Sequence, residues 1–188
     1  MKSARPAVKL TYDDYVHFPE DGKRHELVDG EHVVTPTPVR KHQAVSAALT
    51  AVIWTFLRDH PIGRVFAAPF DVILSDVDVV EPDLIYLSNR RLAEIETSPW
   101  VRGAPDLVVE IGSPGTRRRD ATTKRRLYER FGVTEYWIVD PDLDTIHVYR
   151  LARERYERVA ELSLEQGDVL TTPLLPGFEA PLSTIFED

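Results

Sequence analysis

Two carboxylates stand among apolar residues in this sequence. Glu110 lies within the otherwise apolar run Leu107–Ile111, and Asp83 lies between Pro82 and another apolar run. A buried carboxylate requires a metal ion, a cation or several hydrogen-bond donors, because an unpaired buried charge is costly. Two acids on neighbouring strands can share a hard divalent cation such as Mg²⁺, which takes oxygen ligands. Asp83 and Glu110 are therefore the first candidates for a metal site.

A lysine accompanies them on the buried face of a predicted helix over residues 120–131. At ~100° per residue, Leu127, Tyr128 and Phe131 share one face, and Lys124 lies near its middle. A lysine is rarely buried without an acidic partner, so its amine could meet a carboxylate presented by the sheet. Alternatively, the side chain could snorkel past Tyr128 to solvent. The helical periodicity leaves both alternatives open.

The other reactive residue types restrict the chemistry further. The chain has no cysteine, which excludes disulfides, thiol catalysis and cysteine-ligated metals. Its six histidines show no close pair with zinc spacing, and no phosphate-binding glycine loop or serine elbow is present. Asp106 would lie ~13 Å from Glu110 along one strand, too far to share an ion. We expect Asp106 to be structural, bonding the start of the strand.

Length and charge bound the class of protein. The 188 residues suit a single domain over 1–188, and no apolar stretch approaches the ~20 residues of a membrane span, so a cytoplasmic protein is expected. The net charge of −8 disfavours a nucleic-acid partner. Residues 116–130, however, hold seven basic and two acidic side chains. This segment is either a binding face or a solvated helix surface.

The order of predicted elements indicates the fold class. A short helix begins after Thr11, a hairpin turns at Asp29-Gly30, and Gly132 is placed to end the helix over 120–131. Further elements are an amphipathic helix over 41–58, strands over 63–68, 70–74, 79–87 and 105–112, a hairpin over 135–151 and a strand over 156–160. This order predicts an α/β fold of the α+β type, a mixed sheet with flanking helices.

These residues together resemble the PD-(D/E)XK nuclease superfamily. The chain is more closely similar to the Uma-two family of restriction-endonuclease-like bacterial proteins, and the resemblance covers nearly all of it. The matching segments are 24–31, His42-Gln43, Glu81-Pro-Asp83, 104–114, Arg119-Asp120, Lys124, Tyr128, Gly132-Val133, 135–137, Asp140-Pro141 and 175–178. The resemblance implies a restriction-endonuclease-like core.

The resemblance also implies an activity and a site. Asp83 and Glu110 would hold Mg²⁺ or Mn²⁺, with the backbone carbonyl of Ile111 as a further ligand. Together with Lys124, which would position a water or offset developing charge, they would form the catalytic set of a metal-dependent DNA endonuclease. Glu26 would extend the metal shell through water, or else be an exposed hairpin residue. A homodimer would suit an enzyme that cuts two strands.

Two further residues join the candidates, and a different position departs from the superfamily pattern. The resemblance draws attention to His42 and Tyr128. The lysine expected two residues after the glutamate is replaced by Gly112, so Lys124 would act from the following helix. This departure and the charge of −8 support an alternative function. In that alternative, the chain is a catalytically inactive nucleic-acid-binding or protein-interaction module that keeps the nuclease fold.

Overall fold

A six-stranded mixed sheet forms the central layer. The computed structural model describes residues 8–35, 37–95, 100–112 and 120–187. From edge to edge the sheet contains β11 (Arg155–Ser163), β10 (Thr145–Ala152), β9 (Glu135–Asp140), β8 (Leu107–Ile111), β6 (Leu84–Ser88) and β3 (Gly63–Ala67). Strands β8 and β9 are parallel, and the other neighbours are antiparallel. Glu110 therefore lies on a central strand, as predicted.

A second sheet of five strands packs beside the first. Its order is β2 (Glu31–Thr35), β1 (Arg24–Val28), β5 (Asp78–Val80), β4 (Val72–Ser75) and β7 (Val101–Arg102). Strands β1 and β2 form the predicted hairpin, and Asp29 and Gly30 have φ angles of 53° and 76° at its turn. Positive φ at both positions is what a type I′ turn requires. A short third sheet pairs β12 (Val169–Leu170) with β13 (Ala180–Pro181).

Helices cover both faces of the central sheet. The helices are α1 (Tyr12–Tyr15), α2 (Arg40–Asp59), α3 (Asn89–Ile95), α4 (Arg125–Phe131), which continues a π-helical turn over Asp120–Lys124, and α5 (Ser183–Phe186). Helix α2 packs on one face through Val45, Leu49 and Ile53, and the segment 169–186 closes the same core. Leu127 and Tyr128 of α4 pack on the opposite face with the second sheet. No helix within the described ranges is long and apolar enough to cross a membrane.

The predicted strand over 79–87 is wrong in one respect. It is two strands, β5 and β6, which belong to different sheets. Pro82 lies between them, and proline cannot donate a backbone hydrogen bond to a sheet. Asp83 consequently lies in the bend that leads from one sheet to the other, and not within a strand. This position gives its carboxylate access to groups from both sheets.

The other predicted helices and strands are present, and their observed ends differ from the predicted ones by a few residues. Gly132 has φ 75° and ends α4 as predicted, but the helix begins with a π-helical turn. The predicted strand over 156–160 extends to Arg155–Ser163. Two features from the sequence lie partly outside the described residues: the end of the matching segment 104–114, and the start of the basic segment 116–130 with its arginines at 117–119.

Candidate active site

The acids and the lysine singled out from sequence meet between the two sheets. Glu26 comes from β1, Asp83 from the bend between β5 and β6, Glu110 from β8, and Lys124 from the end of the π-helical turn. Their exposed fractions are 1%, 2%, 4% and 2%, respectively. The alternatives in which Lys124 snorkels to solvent and Glu26 is an exposed hairpin residue are therefore wrong. The cluster is almost completely withdrawn from water.

Lys124 joins two of the carboxylates. Its amine donates hydrogen bonds to Glu26 Oε1 and to Glu110 Oε1, each at 2.8 Å. Removing one partner from such a buried pair leaves an uncompensated charge and costs roughly 3–5 kcal/mol. The ammonium group thus holds strands β1 and β8 together at the same time as it neutralises their acids.

Tyr128 reaches the same oxygen of Glu110. Its hydroxyl donates a hydrogen bond of 2.6 Å to Glu110 Oε1, and the ring is completely buried. Burial and the negative charge of Glu110 raise the pKa of Tyr128 well above its usual value. The phenol therefore remains a donor at any ordinary pH. Lys124 and Tyr128 are four residues apart, a spacing that places both on one helix face toward Glu110.

Asp83 accepts three hydrogen bonds. Arg24 Nη1 lies 2.6 Å from Oδ1, while the Ile111 backbone N–H donates to Oδ2 at 2.7 Å and His42 Nε2 lies 3.2 Å from Oδ2. Burial opposes ionisation of Asp83, but the hydrogen bond from His42 and the charge of Arg24 outweigh it. These two groups hold the pKa of Asp83 below its usual range. The bond from Ile111 ties Asp83 to the residue that follows Glu110.

Arg24 is a site residue that the sequence analysis missed. The charges of Asp83 and Glu110 outweigh the effect of its burial and raise its pKa, so the guanidinium lies within the field of both acids. A signal was available in the sequence. Arg24 and Glu26 are two residues apart on β1, and residues at that spacing point to the same face of a strand.

Glu81 was also missed. Its backbone N–H donates to Glu26 Oε1 at 3.0 Å, so it borders the cluster. Its half-buried carboxyl has a pKa raised to about 7 by burial and by the charges of Asp71 and Glu26. The sequence marks Glu81 only as part of the Glu81-Pro-Asp83 motif, because its partner Glu26 is 55 positions away.

The remaining candidates have clear positions. His42 opens α2, is 5% exposed, and its Nδ1 has no hydrogen-bond partner within the described part of the chain. Asp106 accepts a hydrogen bond of 2.7 Å from the Ser88 backbone N–H, so its expected structural role at the strand start is confirmed. The contact seen for Ile111 is made by its N–H, and metal binding by its carbonyl stays a prediction.

The donor set suits a divalent cation in chemical type. Among residues 8–35, 37–95, 100–112 and 120–187, no three His, Asp or Glu side chains have the spacing of a metal site. Mg²⁺, however, is usually held by one or two carboxylates together with water. Asp83 and Glu110 carry two buried carboxylates, whose oxygens are of this donor type, and Arg24 and Lys124 carry the positive charge that balances them here.

Comparisons with known proteins agree with this architecture. Residues 12–183 match the model of the Uma2 family, described as "Putative restriction endonuclease". The fold resembles the crystal structure of a "putative nuclease belonging to DUF820" from Anabaena variabilis, with a TM-score of 0.80 and 23% identity. The match covers 94% of this chain and 97% of that chain, which confirms the predicted fold. A comparison with curated proteins gives no match.

Proposed function

Because this chain belongs to the Uma2 family of restriction-endonuclease-like proteins, we propose that it is a metal-dependent endonuclease that hydrolyses phosphodiester bonds of DNA. The observation that carries the proposal is the buried Lys124 amine, held at 2.8 Å from both Glu26 and Glu110. A cation beside acids that could hold a metal ion suits phosphodiester hydrolysis, in which negative charge develops on the phosphate oxygens. The family description and the nuclease fold support the same reaction class.

In this proposal Asp83 and Glu110 hold Mg²⁺ or Mn²⁺, with the Ile111 carbonyl as a further ligand and Glu26 acting through water. The bound ion would polarise the phosphodiester and lower the pKa of an attacking water. Lys124 would position the attacking water or offset the negative charge that develops in the transition state.

Two residues would position the metal ligands without contacting the substrate. Tyr128 keeps Glu110 in place through the hydrogen bond of 2.6 Å to Oε1. His42 acts on Asp83 from the opposite face of the sheet, through the contact of 3.2 Å to Oδ2. Each carboxylate therefore has a fixed orientation, which lowers the cost of organising the site when the ion binds.

Plasmid cleavage tests the proposal. Supercoiled DNA is incubated with the protein and Mg²⁺ or Mn²⁺, beside Asp83→Asn, Glu110→Gln and Lys124→Met. Each variant is expected to cut at least about 100-fold more slowly, the usual loss when transition-state stabilisation is removed. The matched control is Glu165→Gln, an exposed acid in the single 3-10 turn Leu164–Gln166 that follows β11, which should cut like the wild type. Equal cutting by all proteins would reveal a contaminating nuclease.

A second candidate function is a non-catalytic module that keeps the fold. Gly112 in place of the expected lysine and the net charge of −8 favour it. Titration calorimetry separates the two proposals, because a nuclease of this type must bind a divalent cation. No heat of binding at millimolar Mg²⁺ or Mn²⁺, with or without DNA, would favour the module.

A further inference from the structure

Arg24 differs from the other donors to Asp83 in its exposure to solvent. The Ile111 N–H is fixed in the sheet, and His42 is buried at the start of α2. The Arg24 side chain is long and 19% exposed, whereas that of Lys124 is 3% exposed. Arg24 is thus the more accessible of the two cations, and its long side chain can change rotamer without a change in the backbone of the sheet.

The charges of the cluster show what would draw Arg24 away. The carboxylates of Glu26, Asp83 and Glu110 face the cations of Arg24 and Lys124, which leaves one negative charge. A divalent ion would turn this into one positive charge, which a phosphodiester, with its single negative charge, would neutralise. In the arrangement seen here, however, an ion on Asp83 Oδ1 would lie beside the guanidinium, and like charges at such distances repel strongly.

We propose that Arg24 is the phosphate-binding residue of the site and exchanges partners during binding. In the free protein the guanidinium holds Asp83 Oδ1. When a phosphodiester enters, the guanidinium moves to the phosphate oxygens, whose geometry suits its planar fork as well as a carboxylate does. Asp83 Oδ1 then becomes available to the metal ion. This inference rests on the proposed function, since it takes Asp83 as a metal ligand and a phosphodiester as substrate.

The exchange makes metal and DNA cooperative ligands. DNA draws the guanidinium away from the metal ion's position, and the metal ion takes Asp83 away from the guanidinium that binds DNA. Such coupling is reciprocal by thermodynamic necessity. We expect a short phosphorothioate duplex to tighten Mn²⁺ binding by about 10-fold, within the usual range of coupling between two ligands. A merely structural Arg24 would stabilise the fold and give no such coupling.

Titration calorimetry of Mn²⁺ into the full chain, with and without the duplex, tests the exchange. Arg24→Gln removes the competitor, so Mn²⁺ is expected to bind more tightly than to wild type in the absence of DNA, and the duplex should no longer tighten it. The matched control is Arg155→Gln, an exposed arginine on β11, which should keep the wild-type coupling. Gel electrophoresis afterwards verifies that the duplex is intact, and circular dichroism verifies folding.

Arg24→Lys keeps the charge beside Asp83 and guards against misfolding of Arg24→Gln. It is expected to fold and to lose most of the coupling, because an ammonium cannot form the bidentate contact. Wild-type coupling in a folded Arg24→Gln or Arg24→Lys would overturn the exchange while leaving the endonuclease proposal intact. A wild-type protein that binds no Mn²⁺ under either condition would overturn both.

Discussion

At the scale of single residues, the site shows how four buried charged groups are compensated, with the partly exposed Arg24 as a fifth charge. Lys124 donates to two carboxylates at once, and Asp83 is compensated by Arg24 and by the Ile111 backbone N–H. The low exposure of these groups means that each depends on its partner, because water cannot replace a lost one. A substitution at any of them should therefore be judged against a stability measurement as well as an activity measurement.

Glu81 provides a residue-scale prediction with a defined pH window. Its pKa rises from 4.5 to about 7 on folding, so the folded state binds this proton more tightly than the unfolded state. Burial of Glu81 therefore does not lower the free energy of unfolding at pH 4, and it lowers that free energy increasingly as the pH rises from about 4.5 to about 7. Glu81→Gln is expected to increase the free energy of unfolding at pH 8 by about 1 kcal/mol, a figure reduced for partial exposure.

Urea denaturation of wild type and Glu81→Gln at pH 4 and pH 8 measures this difference. The increase in the free energy of unfolding caused by Glu81→Gln should appear at pH 8 and vanish at pH 4. Glu165→Gln, whose carboxylate is exposed, should show no such dependence on pH. An equal gain at both pH values would contradict the prediction, since it would assign the effect to packing and not to the charge of Glu81.

At the scale of elements, Lys124 lies on a different element from the lysine that the superfamily resemblance predicts. The superfamily pattern places it on the strand with the glutamate, at the position of Gly112, whereas here it comes from the helix that also carries Tyr128. Residues 110 and 112 point to the same face of an extended chain. A Cβ at Gly112 would have its nearest contact at 3.4 Å, with Val139 O, and Gly112 does not have positive φ. Among the described residues, a side chain at position 112 therefore begins in ordinary van der Waals contact.

Moving the amine back to the strand tests whether the helix position matters. Lys124→Met is expected to slow plasmid cleavage at least about 100-fold, and adding Gly112→Lys should recover about 10-fold of that loss by returning a cation to Glu110. Lys124→Met with Gly112→Ala serves as the control, because it fills the same space without the charge. A double variant no faster than this control would show that only the helix can present the amine.

Local signals account for the elements that the sequence predicted well. The helical periodicity predicted a helix over 41–58, and α2 spans Arg40–Asp59. Asp29-Gly30 predicted a turn and Gly132 predicted a helix end, because these residues tolerate the positive φ that they adopt. The break at Pro82 was missed because apolar residues continue on both sides of it, in two strands that are both buried. Nothing local distinguishes one long buried strand from two short ones in different sheets.

The site was predictable only where local pattern and resemblance coincided. Asp83, Glu110 and Lys124 each stood out within their own segments. The contacts that join them link residues distant in sequence: Arg24 lies 59 positions from Asp83, and Glu26 lies 98 positions from Lys124. Such pairings follow from how the two sheets meet, which no single segment encodes. Arg24 and Glu81 were missed for this reason.

At the scale of the whole molecule, charge sets the conditions for binding DNA. The chain carries −8 overall, and the cations of the site are engaged with its own acids. Affinity for nucleic acid arises mostly from neutralising phosphates with free basic groups. An acidic protein whose site cations are already paired should hold DNA weakly until a divalent ion changes the charge of the site.

We therefore expect duplex DNA to bind poorly in EDTA, with Kd near or above the weak end of non-specific binding, about 10⁻⁴ M at physiological salt. Mn²⁺ should tighten binding by at least about 10-fold, a common size of coupling between ligands. Fluorescence anisotropy of a labelled phosphorothioate duplex measures both values. The double variant Asp83→Asn with Glu110→Gln should lose the effect of Mn²⁺. Tight binding in EDTA that Mn²⁺ leaves unchanged would instead favour the non-catalytic module, because its affinity would come from a surface outside the acid cluster.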